Sequence, residues 1–317
     1  MENALEVRVG KYLGYLATDP DNPHLILETA QMLNRLGRFP EALDLIEHGQ
    51  SVTPDDPALA FTKSTVALSS NNPGLAIEIL ENLVASGNDN GAIRYNLAYS
   101  LALQGEMEKA QAVIEPSLSE IEPKTPEVLI LLARIKHYLG DIEDAIKLIE
   151  SFLLNYPDHN QLGQAQGILA LLALDTQDLQ SARMHAAKSL STDPNNPDSL
   201  VTMGSIALEE FDSNSAKNHF DKVLAQHPTN GRAWLGTGLA YMLDQELGKA
   251  EDALTQCVEH MPTHLGSWNT LAWCQIAQNK IDRAENTLLK ARLASIVVAF
   301  RPTMPKAYSM PVMATMT

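Results

Sequence analysis

The feature that most constrains this chain is an internal period close to 34 residues. Small residues, each followed by an apolar stretch, recur at Ala42, Ala76, Ala110, Ala145, Ala182, Ala216, Ala250 and Ala284, with spacings of 34, 34, 35, 37, 34, 34 and 34. Twelve residues before each of these stands a second small residue: Ala30, Ser64, Ala98, Ala133, Ala170, Gly204, Gly238 and Ala272. Two series with one spacing mean that a single supersecondary unit is repeated along the chain. At 317 residues a single hydrophobic core would be close to its size limit. An array escapes that limit, because each unit buries its face only against its neighbours.

Composition agrees with a helical array. Hydrophobic residues make up 45% of the chain but aromatics only 5%, so the core must be built from Ala, Leu, Ile and Val. Such a core favours closely packed helices over sandwiches or barrels, whose strands want β-branched and aromatic residues. The formal charge is −16, from 39 acidic against 23 basic residues, and no Lys/Arg-rich block offsets it. This surface repels phosphate backbones, so nucleic acid is excluded as a partner, and a basic protein segment would be steered towards it. No apolar run approaches the roughly 20 residues of a membrane helix, and Met1–Glu6 shows neither a basic start nor an apolar signal core. A cytoplasmic protein without membrane insertion is expected. Cys257 and Cys274 fit no disulfide framework or metal motif, and are expected as small buried side chains on helices.

The residues at fixed positions of the period resemble the tetratricopeptide repeat, in the multi-repeat form of bacterial arrays. Its 34 positions favour an aromatic at 4, Leu at 7, Gly or Ala at 8, Tyr at 11, Ala at 20, a bulky residue at 24 and Pro at 32. Residues 231–264 supply Trp234, Gly238, Tyr241, Ala250, Leu254 and Pro262, and residues 265–298 supply Trp268, Leu271, Ala272, Ala284 and Leu288. Proline stands at position 32 as Pro54, Pro157, Pro194, Pro228 and Pro262, and Pro20 fits the same register one repeat earlier. The resemblance implies an all-α fold, a right-handed superhelical solenoid of antiparallel helix pairs. It divides the chain into a partial capping repeat over 1–22 and eight repeats over 23–56, 57–90, 91–125, 126–159, 163–196, 197–230, 231–264 and 265–298. An irregular tail over 299–317 follows. The two helices of each unit cross closely, so a side chain larger than Ala at position 8 or 20 would overpack the contact at a cost of about 1–3 kcal/mol. Proline at 32 cannot continue the second helix and forces the next turn.

Four departures carry information. Residues 57–90 lack both the aromatic and the closing proline. Pro116 falls inside the expected second helix of 91–125 and should kink or shorten it. The 37-residue spacing between Ala145 and Ala182 places three extra residues near Asn160, Gln161 and Leu162, expected as an altered junction. After Ala291, Ile296–Phe300 and a Pro- and Met-rich stretch replace the closing turn, which leads to the expectation of an irregular terminus.

No catalytic or cofactor motif is present: there is no Walker loop, GxGxxG after a strand, GxSxG or HExxH. His260 and His264 flank Pro262 at an expected helix end, which argues against a shared metal face. The expectation is therefore a protein that is not an enzyme and needs no cofactor or metal. Within the family the first helix of each pair lines a concave groove. Carrying those positions over gives Gln31 and Arg35, then Phe61, then Tyr95, Asn96 and Tyr99. Arg134, His137 and Tyr138 follow, and Asn269 and Trp273 close the row. Asn96 and Asn269 stand at position 6, where an amide can donate to and accept from a ligand backbone at once. Tyr95, Tyr99, Arg134, His137 and Tyr138 join aromatic area to a cation, the residue types that dominate binding energy. The subclass that clamps two carboxylates has Lys and Asn where this chain has Leu27 and Gln31, and basic residues where it has Ala92 and Asn96. Recognition of an acidic tail by that clamp is not supported. The resemblance implies a scaffold or adaptor that holds a protein or peptide segment, basic or apolar and extended. The alternative is an assembly or regulatory arm of a larger enzyme, secretion or polysaccharide-export machine.

Overall fold

The computed structural model describes residues 2–120 and 126–299; the stretch 300–317, where the irregular tail is expected, lies outside them. The described residues are helical, with no strand among them, and form two compact units that divide between Asp141 and Ile142. In the first unit the helices are α1 Glu2–Leu16, α2 Pro23–Arg35, α3 Phe39–Val52, α4 Pro57–Ser69 and α5 Pro73–Ala85, followed by α6 Gly91–Leu103, α7 Met107–Ile114, α8 Ser117–Glu120 and α9 Pro126–Leu139. The second holds α10 Ile142–Asn155, α11 Leu162–Asp175, α12 Leu179–Thr192, α13 Pro197–Glu209 and α14 Ser213–Gln226, then α15 Gly231–Leu243, α16 Leu247–His260, α17 Leu265–Ala277 and α18 Ile281–Ala299. Within each unit helices pack as hairpin pairs, α2 with α3, α4 with α5 and α6 with α7 in the first, α11 with α12, α13 with α14, α15 with α16 and α17 with α18 in the second. The first helices of the pairs also touch one another, α2 on α4 and α4 on α6 in the first unit, α11 on α13 and α13 on α15 in the second. This is how a stack of helix hairpins buries a continuous core.

Both small-residue series lie in that core. The alanines at positions 8 and 20, from Ala30 and Ala42 to Ala272 and Ala284, are at most 2% exposed, and Ser64 is fully buried. Gly204 shows why the residue must be small. A Cβ there would come within 2.6 Å of the Phe220 ring, which a Cβ on Gly236 would also strike at 2.2 Å. Phe220 is thus wedged between two glycines, one on its own repeat and one on the next.

Helix ends follow from sequence. Asn22, Asp56, Asn72, Asn90, Asp178, Asn196, Asp212 and Asn230 each accept a hydrogen bond from a backbone N–H of the helix they precede, satisfying donors that the first turn leaves open. At the far ends, Thr53, Asp193, His227 and Met261 precede the prolines of position 32, and their backbones leave the helical region at φ near −130° and ψ of 61–87°, as a following proline demands. Position 32 of the second repeat is Asn88, and there Gly87 stops α5 instead. Its φ is +86°, and Asn88 N–H reaches back to the Leu83 carbonyl at 2.9 Å. In the last repeat position 32 is Ile296, with no proline to stop the helix, and α18 continues to Ala299. Pro116 has the expected effect: α7 ends at Ile114 and the helix restarts at Ser117.

The two cysteines are buried and free. Cys257 Sγ–H donates to Ser267 Oγ at 3.1 Å, and burial raises both thiols above their ordinary range.

Candidate partner-binding groove

The expected groove residues fall on first helices in both units. In the first, Gln31 and Arg35 are exposed on α2 and Phe61 is half-buried on α4. On α6, Tyr95 and Asn96 are half-buried while Tyr99 is only 3% exposed. Arg134 and His137 are half-buried on α9, and Tyr138 is 58% exposed. Asn269 and Trp273 lie on α17 of the second unit, both exposed, Trp273 at 66%.

The structure brings three of these together. Tyr95 and Tyr99, four residues apart on one helix face, stack with ring centroids 6.3 Å apart and planes 5° from parallel. Their neighbour across the α6–α9 contact is Arg134. Burial pushes the Tyr95 phenol up to about 12; Glu127 adds to the shift and Arg134 opposes it. Burial, with the Tyr95 phenol beside it, raises Tyr99 as well, again against the pull of Arg134. Both phenols are therefore neutral donors throughout the physiological range. The Tyr99 hydroxyl is buried and has no hydrogen-bond partner among the described residues. Such a group costs about 1–3 kcal/mol of desolvation that nothing in the folded chain returns. Asn96 accepts at its backbone carbonyl from the Ser100 hydroxyl at 2.6 Å.

Elsewhere the row is less uniform. Thr202, at a groove position of α13, is fully buried and donates to the Asp198 carbonyl of its own helix at 2.8 Å. His264 caps α17 through Ser267 N–H at 3.2 Å, while His260 ends α16, so the two histidines serve different helices. No group of three or more His, Cys, Asp or Glu suited to a metal ion occurs among the described residues, and no helix among them is long and apolar enough to cross a membrane.

Two features escaped the sequence reading. Glu251 is 4% exposed yet charged, held by Lys280 Nζ at 2.6 Å and Arg283 at 2.9 Å. Its partners stand about thirty residues away, so nothing local marks it. Gln166 is buried in α11 against His185 of α12; its signal was visible, since it occupies position 4, where an aromatic is favoured.

Comparison with known proteins follows the same lines. No curated protein matches the sequence. Sequence models described as tetratricopeptide repeat match residues 67–120 and 241–295, residues 130–197 and 201–258, and residues 27–48. Among solved structures, the APC/C hetero-tetramer Cut9–Hcn1 superposes with a TM-score of 0.63 at 17% identity, over 89% of this chain and 55% of that one. A tetratricopeptide repeat protein from Parabacteroides merdae superposes with a TM-score of 0.53 at 17% identity, over 75% of this chain and 93% of that one. MamA from Desulfovibrio magneticus RS-1 matches 54% of this chain and 95% of its own at 19% identity, with a TM-score of 0.41. The buried small-residue pairs, the hairpin stacking and the matched sequence models together make one assignment: the chain belongs to the tetratricopeptide repeat family.

Proposed function

We propose that this protein is a non-catalytic scaffold that holds an extended segment of a partner protein along the first helices of its first unit. Its contacts are Tyr95, Asn96, Tyr99 and Arg134, flanked by Gln31, Arg35, Phe61, His137 and Tyr138. Family membership supports the general role of a protein-interaction scaffold. The single observation that carries the finer reading is the hydroxyl of Tyr99, a buried donor with no partner among the described residues, on a ring stacked against Tyr95. A folded chain retains such a group at a cost when its partner arrives with a ligand. Docking has to uncover the hydroxyl first; a main-chain carbonyl of an extended peptide is then the acceptor that suits it, and the Asn96 amide can take the next peptide unit by donating and accepting together.

The test separates stability from binding. Tyr99→Phe removes only the hydroxyl, so the folded protein should gain about 1 kcal/mol in chemical denaturation. Retention of partners from a lysate of the source cells should nevertheless fall, further still in the Tyr99→Phe/Asn96→Ala double variant. Equal retention by wild type and both variants would place binding elsewhere.

A further inference from the structure

The three-residue insertion near Leu162 plays no part in the groove, and it borders a cleft of its own. In repeats 231–264 and 265–298, position 4 is tryptophan. Each indole lies against the preceding turn and donates from Nε1 to a proline carbonyl, Trp234 to Pro228 at 2.7 Å and Trp268 to Pro262 at 2.8 Å. In repeat 163–196 the same position holds Gln166, and Pro157 is the counterpart of those prolines. No indole covers the turn here, and a cleft of about 220 Å³ lies beside it, lined by Leu153, Pro157, Leu162, Gln166, Lys188 and Thr192.

Its chemistry is two-sided. Leu153, Pro157 and Leu162 make an apolar wall, Leu162 being the last residue of the insertion. Gln166 is 3% exposed, and its Oε1 lies 2.7 Å from His185 Nδ1. An amide oxygen only accepts, so the imidazole donates from Nδ1 and the Gln166 amide is fixed with its NH₂ as the group still to be satisfied. That NH₂ makes no hydrogen bond among the described residues. Burial, with Lys188 nearby, holds His185 below its ordinary range, which keeps this donor arrangement neutral at neutral pH. Lys188 itself is exposed and forms no ion pair among the described residues, in a chain with 39 acidic residues. An amide donor and an unpaired ammonium in the lining of an otherwise apolar cleft suit one kind of ligand. A carboxylate accepts from both, and charge assistance makes such bonds the stronger kind.

We propose that this cleft binds an apolar carboxylate, a single ring-sized or branched apolar group joined by a short link to a free carboxylate. Its volume is below the roughly 300–1,000 Å³ of sites for drug-sized ligands, which limits the occupant to one such group. The apolar part lies over Pro157 as the indoles lie over Pro228 and Pro262, and the carboxylate meets the Gln166 amide and Lys188. The same chemistry is offered by a free small acid and by the C-terminal residue of a peptide.

The experiment is an NMR titration of the full chain with four probes: 3-phenylpropanoate, its carboxamide, the peptide acetyl-Ala-Ala-Phe with a free carboxylate, and its amide. At least one of the two acids should bind about tenfold more tightly than its amide, shifting resonances of Leu162, Gln166 and Lys188. Whichever acid binds identifies the source. Gln166→Glu still accepts from His185 but replaces the donor by a negative charge, and should weaken the acid about tenfold; Lys188→Met should weaken it without touching the buried pair. Equal binding of acid and amide would overturn the proposal. So would affinity unchanged in both variants, or no shift with either acid at about 10 mM, a concentration that reveals even weak sites.

Discussion

Position 15 of every repeat, the turn between its two helices, takes a left-handed backbone. Gly37, Gly105 and Gly140 hold it without strain; Asn71, Gln177, Phe211, Gln245 and Asn279 adopt it too, with φ of 59–63°. In all eight turns the next N–H reaches back five residues, as Arg38 does to Leu33 and Asp212 to Ala207, closing the helix in the manner of a Schellman motif. A bulky side chain in this conformation is strained by about 1–2 kcal/mol, and Phe211 is 80% exposed, so packing returns little. Phe211→Gly should therefore stabilise the protein by about 0.5–1 kcal/mol, after allowing for the extra freedom of glycine in the unfolded chain. Urea denaturation measures it; a loss of stability would show that the Phe211 side chain holds something in place. The sequence made three of these turns legible through glycine. The other five were hidden, because Asn, Gln and Phe carry the same backbone without announcing it. Tyr99 shows a second blind spot: its register placed it in the groove row, but register does not reveal that it is 3% exposed.

Among the elements, the pairing of helices was open to sequence reading because two small-residue series and a proline recur at fixed spacing. What tethers the last pair was not. Glu251 of α16 accepts from Gln275 and Gln278, both at 3.1 Å, and pairs with Lys280 and Arg283, while Thr287 of α18 donates to Gln275 Oε1 at 2.8 Å. Burial alone would raise the Glu251 carboxyl, but the hydrogen bonds from Lys280 and Gln275 and the two positive charges outweigh it and hold it below its ordinary range. Glu251→Ala would leave the Gln275 amide and two cations without their shared acceptor. We expect a loss of about 1–3 kcal/mol, below the roughly 3–5 kcal/mol for breaking a fully buried pair, since both cations reach solvent. Hydrogen exchange should show the loss confined to α16, α17 and α18. Unchanged protection there would mean that these bonds contribute nothing net. Of the row from Gln31 to Tyr138 in the first unit, the sequence offered only the register.

At the scale of the molecule, the two units should respond differently to acid. Burial holds His185 and His219 below their ordinary 6.5, and both belong to the second unit. A lowered histidine pKa means that the unfolded chain binds protons first, so the stability these groups contribute is present above about pH 6.5 and lost as pH falls towards their folded values. Carboxylates such as Glu41 and Asp89 in the first unit are held low by Arg38 and Arg94, and lose their contribution only below the ordinary carboxylate range. Exchange measured between pH 7 and 5 should therefore accelerate in α11–α14 before α2–α6; simultaneous loosening would contradict the assignment.

In the proposed function a partner lies along the first helices of the first unit. A photo-crosslinking residue in place of the exposed Tyr138 on α9 tests it most directly, with the same residue in place of exposed Glu81 on the second helix α5 as the control. A covalent partner adduct is expected from position 138, weakened by Tyr99→Phe/Asn96→Ala, and none from position 81. Adducts from position 81 alone, or from 138 regardless of the two substitutions, would contradict it.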